Sequence, residues 1–153
     1  MPVKIKLEPP RQDAVIRLMD MSNSYMASLY PAESNHLVDL STLEKDNVSF
    51  FVARNDGAIV GCCALVASGD GTAEIKRMFV DPEARGLRIG VLMMEALFAR
   101  GKELGLSAIR LETGISQPEA IGLYRKGGFV EIDAFPPYKP DPLSLFMEKQ
   151  LRD

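Results

Sequence analysis

The chain has no tryptophan, a single histidine and two cysteines. Those cysteines, Cys62 and Cys63, are adjacent, so in a strand their side chains point to opposite faces and make poor disulfide partners. They are not spaced as metal ligands, and one histidine adds little, so no metal site is expected. Both read as small packed residues of a reducing compartment. No apolar run approaches the length of a membrane span. The N-terminal stretch MPVKIKLEPPRQD lacks the apolar core of a signal peptide, and cytoplasm is the expected location. A net charge of −3 lacks the basic footprint of a nucleic-acid binder. Neither G-x-x-x-x-G-K-[ST] nor G-x-G-x-x-G occurs, which sets aside two familiar phosphate loops. There is no internal repeat and no low-complexity tail.

What is present is ordinary globular composition, 46% hydrophobic and 25% charged over 153 residues, enough for one domain spanning residues 1–153. Val3 to Leu7 alternates apolar and basic and reads as a strand closed by Pro9-Pro10. A helical pattern runs from Gln12 through Val15, Leu18 and Met19 to about Leu29, its methionines reading as core gap-fillers. The next stretch, Tyr30 to Leu40, is polar and irregular, with a short helix near Ser41 to Asp46. Val48 to Arg54 and Ala58 to Ala67 form a hairpin about Asp56-Gly57. The second of these strands is apolar enough to be buried on both faces. A third strand carries Glu74 and runs through Ile75 to Val80, ending at Asp81-Pro82. A long helix follows from Ile89 to a stop at Gly105, then a strand from Ser107 to Glu112. A helix from Pro118 to Lys126, a strand from Phe129 to Ile132, a proline-rich loop and a last strand from Leu143 complete the order. Helices alternating with strands around one mixed sheet predict a three-layer α/β domain.

The centre of interest is residues 74–105, where a strand enters a Gly/Arg loop and then a helix. Backbone N–H groups at such a helix start favour an anion, most naturally a phosphate. The segment resembles motif A of the GNAT superfamily of N-acetyltransferases, [QR]-x-x-G-x-[GA]. Arg85 matches the first position and Gly90 the last, while Arg88 stands where the middle glycine is usual. Downstream, Gln117, Ala120, Leu123, Tyr124, Gly128 and Phe129 resemble the family's second motif, N-x-x-A-x-x-L-Y-x-x-x-G-F, with Gln117 for the usual asparagine. The resemblance spans about residues 48 to 150. The element order is also that of the GNAT fold, a central, mostly antiparallel twisted sheet of about seven strands flanked by helices.

The resemblance implies transfer of an acetyl group from acetyl-CoA to the amine of a small molecule or a protein, with no metal. It assigns Met78, Phe79 and Val80 to the pantetheine arm. Arg85, Gly86, Leu87, Arg88, Ile89, Gly90 and Val91 fall to the pyrophosphate, with Gln117 and Ala120 on the arm as well. Tyr124 would donate a proton to the departing thiolate, its phenol being protonated at working pH. Glu74, eleven residues before Arg85, is the candidate general base, with an ordered water as the alternative base and an edge glutamate paired with Lys76 or an arginine as the structural alternative. Tyr30, Glu33 and His36 are candidates for the acceptor cleft. The fold also suits a non-catalytic acyl-CoA-binding module. Nucleic acid and membrane are not expected as partners; a homodimer is compatible with the family.

Overall fold

The computed structural model describes residues 3–32, 38–84 and 86–151. Its elements, in order, are β1 (Val3–Leu7), α1 (Asp13–Leu29), α2 (Leu40–Leu43), β2 (Val48–Asn55), β3 (Ala58–Ala67) and β4 (Thr72–Val80). A single 3₁₀ turn (Pro82–Ala84) leads to α3 (Ile89–Glu103), β5 (Ala108–Gly114), α4 (Pro118–Lys126), β6 (Val130–Ile132) and β7 (Ser144–Gln150). The strands form one seven-stranded sheet in the order β1-β2-β3-β4-β5-β7-β6. Every neighbouring pair is antiparallel except β4 and β5. The expected mixed sheet, its seven strands and their order are all present.

The sheet separates two apolar layers. On one face α1 sets Val15, Leu18 and Met19, spaced three and four apart, against Phe50, Val52, Ile59 and Cys62, with Leu43 of α2 beside them. On the other face Ile89, Met93 and Leu97 of α3 and Tyr124 of α4 cover Phe51, Cys63, Leu65, Ile109 and Met147. The helical period of the first set and the strand period of the second are what bring each row to one side. Cys62 and Cys63 fall into opposite layers, as the alternation requires, and both are free and buried. Burial pushes the Cys62 thiol up to about 12, so it stays a neutral packed group. Asp56 and Gly57 both take positive φ, 53° and 84°, the conformation that a tight hairpin demands of its two central residues. Among the described residues no helix is long and apolar enough to cross a membrane.

The sheet's first edge is tied down by a forked ion pair. Arg54 of β2 donates from Nε and Nη2, each at 2.7 Å, to the two carboxylate oxygens of Glu8, just past β1. These bonds hold the Glu8 carboxyl at about 2, from its ordinary 4.5. A depressed acid pKa contributes stability that is complete above the unfolded value and disappears as pH falls through the folded one. Glu8→Gln is therefore expected to cost about 1 kcal/mol at neutral pH. In urea melts taken at descending pH, the gap between the two proteins should close between about 4.5 and about 2.

Candidate active site

β4 and β5 lie side by side at one end and part at the other. Their parallel ladder joins Thr72, Ala73 and Glu74 to Ala108, Ile109 and Arg110, and no pairing follows beyond it. From Ile75 onward β4 remains bonded to β3 on one side only, and β5 remains bonded to β7. A bulge accompanies the parting. Ala64 faces Lys76 and Cys62 faces Phe79, so Arg77 and Met78 together oppose Cys63. Arg77 takes φ 54° there, which bends the strand and moves its side chain off the regular alternation. β4 thus presents unpaired backbone donors and acceptors to an opening, the arrangement that accepts an extended ligand as an added strand.

The chain then turns into α3. Asp81 is buried, and its carboxylate accepts from the Glu83 N–H and from Arg17 Nη2, both at 3.0 Å. The Glu83 amide foremost, with Arg17 beside it, holds this carboxyl below its usual range. Arg88 occupies the N-cap position of α3 in the left-handed conformation, φ 56° and ψ 31°, and its side chain makes no capping bond. This geometry explains why glycine suits the position: a side chain there costs roughly 1–2 kcal/mol. The first N–H groups of α3 have no intrahelical acceptor and remain available to an anion. Gly90 is needed for a different reason. A Cβ there would come within 2.8 Å of Leu123 Cδ2, so its absence lets α3 start close to α4.

Between these parts lies a cavity of ≈ 1140 Å³, walled by the end of β4, the start of α3, the start of α4 and one face of α1. Met78, Phe79, Val80, Gly86, Arg88, Ile89, Gly90, Val91, Gln117, Ala120 and Tyr124 all line it. Leu87, expected in the same set, is not in its wall and is 40% exposed. Arg85, Glu33 and His36 lie outside the described residues. The fit to a CoA-like ligand is direct: an uncapped helix start for phosphate, a free strand edge for an amide-bearing arm, and apolar walls between.

Tyr124 is buried on α4 with its hydroxyl 3.7 Å from Met78 Sδ. Burial raises its pKa, so the phenol keeps its proton throughout the physiological range. Gln117 does not cap α4; its Oε1 accepts instead from the Gly114 N–H at 3.2 Å and from the Tyr30 hydroxyl at 3.3 Å. Tyr30 in turn accepts from the Ser116 N–H at 3.0 Å and is 6% exposed. A Cβ on Gly114 would overlap that hydroxyl. The sequence reading put Tyr30 in the acceptor cleft. The structure packs it beneath the β5–α4 connection, where its hydroxyl meets Gln117 and the Ser116 amide.

Glu74 opens onto a different void, of ≈ 570 Å³, shared with Val38, Lys76, Tyr138 and the proline-rich segment before β7. Its carboxylate accepts a short hydrogen bond from the Tyr138 hydroxyl and pairs with Lys76 Nζ at 2.9 Å. That ammonium also lies 4.6 Å from the Tyr138 ring centroid. A small void of ≈ 120 Å³ lies beside both: it shares the Lys76 side chain with the second, and Tyr25, Met78, Phe79, Gln117 and Tyr124 with the first. The Lys76 pairing with Glu74 is one the sequence offered, whereas Arg77, Glu112 and Tyr138 were not singled out from sequence. Only the position of Tyr138 inside a run of prolines hinted at a rigid, functional loop. Met19 is core as expected, and Met21, partly buried against that core, also lines the large cavity.

This arrangement has close counterparts. Residues 15–129 match the model of the Acetyltransferase (GNAT) family. A protein of Azospirillum brasilense named IAA acetyltransferase is 51% identical over 150 residues, covering 97% of this chain and 98% of its own. YsnE of Bacillus subtilis, an uncharacterized N-acetyltransferase, is 30% identical over 151 residues, 96% of this chain and 99% of its own. Among solved structures, a Klebsiella pneumoniae protein named as an acyl-CoA N-acyltransferase superposes with a TM-score of 0.87 at 37% identity, covering 98% of both chains. The PaiA N-acetyltransferase of Thermoplasma acidophilum, solved in complex with coenzyme A, shares the fold with a TM-score of 0.76 at 19% identity and covers 98% of this chain and 99% of its own. The chain belongs to the GNAT family of acetyltransferases.

Because Arg88 bears the left-handed strain, Arg88→Gly is expected to stabilise the protein by about 1 kcal/mol. Urea unfolding of the two proteins at neutral pH measures the difference, and a loss of stability would contradict it.

Proposed function

We propose that this acetyltransferase uses acetyl-CoA and delivers the acetyl group to a primary amine of a small acceptor. The observation that carries the reading is the ≈ 1140 Å³ cavity, which joins the unpaired edge of β4, the uncapped start of α3 and the buried Tyr124 hydroxyl in one wall. The Azospirillum relative named IAA acetyltransferase supports acetyl as the group moved. The coenzyme A complex of the PaiA enzyme supports the carrier. Acetyl-CoA supplies an activated acyl group as a thioester.

The chain's own groups divide the remaining work. N–H groups at the start of α3 hold diphosphate charge, and the free N–H groups about Met78 to Val80 hold the arm and polarise the acyl carbonyl. Arg88, lining the same wall, adds a charged donor. Tyr124 keeps a proton on its hydroxyl within reach of the end of that arm, because burial disfavours the phenolate. Glu74, in the ≈ 570 Å³ cleft on the acceptor side, takes the amine's proton through an intervening water.

Calorimetry with acetyl-CoA, with CoA and ATP as controls, tests the carrier first. Tyr124→Phe should lower kcat by roughly 10²–10⁴-fold while leaving the acetyl-CoA Kd within a few-fold. Glu74→Gln should lower kcat by roughly 10²–10⁴-fold, again with the acetyl-CoA Kd within a few-fold. Unchanged turnover in both variants would sink the assigned roles.

A further inference from the structure

Arg77 is the least explained charge in the molecule. It is 8% exposed, held between β4 and α1. Its Nη1 donates to Asn23 Oδ1 at 2.7 Å and its Nη2 to the Met19 carbonyl at 3.4 Å. Its Nε is buried without a hydrogen-bond partner among the described residues. No carboxylate of the described residues forms an ion pair with it, and Asp20, exposed on α1, acts on it only through space. A buried cation without a paired anion is costly unless something compensates it. The bulge is what brings it here: the extra residue in β4 sets Arg77 on the α1 side, next to Lys76.

Both cations line the ≈ 120 Å³ void between the acyl-transfer cavity and the outer cleft. Glu112 of β5 lines it as well, its Oε2 accepting from the Ser144 hydroxyl at 2.7 Å, and so does Tyr124. The void therefore carries cations on its β4 wall, a carboxylate on its β5 wall and the proton donor alongside. It has room for the few heavy atoms of an amino-carboxylate head group. On the other side of Lys76 lies the ≈ 570 Å³ cleft, where Val38, Pro137 and the Tyr138 ring offer apolar contact to whatever the head group bears.

We propose that the acceptor is an amino acid, or a close analogue with a carboxylate beside its amine, and that Arg77 with Lys76 binds that carboxylate. The inference rests on amine acetylation as the reaction. Arg77 and Lys76 select the acceptor; Glu112 faces its ammonium end and the amine lies toward Tyr124. A planar guanidinium suits a carboxylate better than it suits any neutral amine.

Acetyl-CoA binding is first measured by calorimetry. The protein saturated with acetyl-CoA is then given each proteinogenic L-amino acid and, in parallel, its primary amide, while melting temperature and thiol release are followed. At least one free acid should raise the melting temperature and be acetylated with kcat/KM roughly a hundredfold above that of its amide. Arg77→Lys and, independently, Lys76→Met should raise KM for that acid and narrow the acid-over-amide ratio. Lys76 is only partly buried, so its variant remains informative if the Arg77 variant fails to fold. Equal responses to acid and amide, no response to any free acid, or a preference that survives the Lys76 substitution overturns the inference while leaving the transfer chemistry intact. Failure to bind acetyl-CoA at all overturns that chemistry, and this inference with it.

Discussion

The parting of β4 from β5 is the constraint on which the rest depends. A parallel ladder that ran the full length of both strands would satisfy the backbone of Ile75 to Val80 and leave no edge for a ligand. Here it stops after Glu74 and Arg110. Two features hold the strands apart. The Arg77 bulge turns β4 away and is anchored to α1 by Asn23 and the Met19 carbonyl. Across the opening, β5 is locked to β7 from Ala108 through Gly114 and cannot follow. Buried backbone groups seek partners, so the exposed edge of β4 is a standing demand for one.

The helices take their roles from that opening. α3 and α4 both begin at its rim, one offering uncapped N–H groups and the other Gln117 and Tyr124. Gly90 allows the two starts to approach. Tyr30 reaches under the connection and bonds both Gln117 and Ser116, tying α1's end to the start of α4. The far side of the sheet is shaped by charge rather than by backbone. Glu74, Lys76 and Tyr138 form one mutually satisfied group, whereas Arg77 retains an unsatisfied donor.

Much of this was legible from residues alone wherever the physics is local. The 3-and-4 spacing of Val15, Leu18 and Met19, the Asp56-Gly57 turn, the doubly apolar β3 and the Gly105 stop each report their own conformation. The motif residues Gly90 and Tyr124 were found because their spacing to a strand and a helix start is itself local. Gly90's packing against Leu123 was not, since that contact spans α3 and α4. The packing of Tyr30 was not legible for the same reason: its partners are Ser116 and Gln117, more than eighty residues downstream. Arg77 reads in sequence as one more alternating strand residue, and nothing in I-K-R-M-F-V announces a bulge.

The sequence by itself determined the elements, their order, the two-faced burial of the sheet and the family of the chain. Those follow from periodicity, turn chemistry and motif spacing, which act over a few residues at a time. Only the tertiary structure decided where β4 leaves β5, which face Arg77 takes, and that Glu74 and Tyr124 open onto different voids. Those outcomes depend on register between strands far apart in the chain, and a shift of one residue in that register carries a side chain to the other face of the sheet.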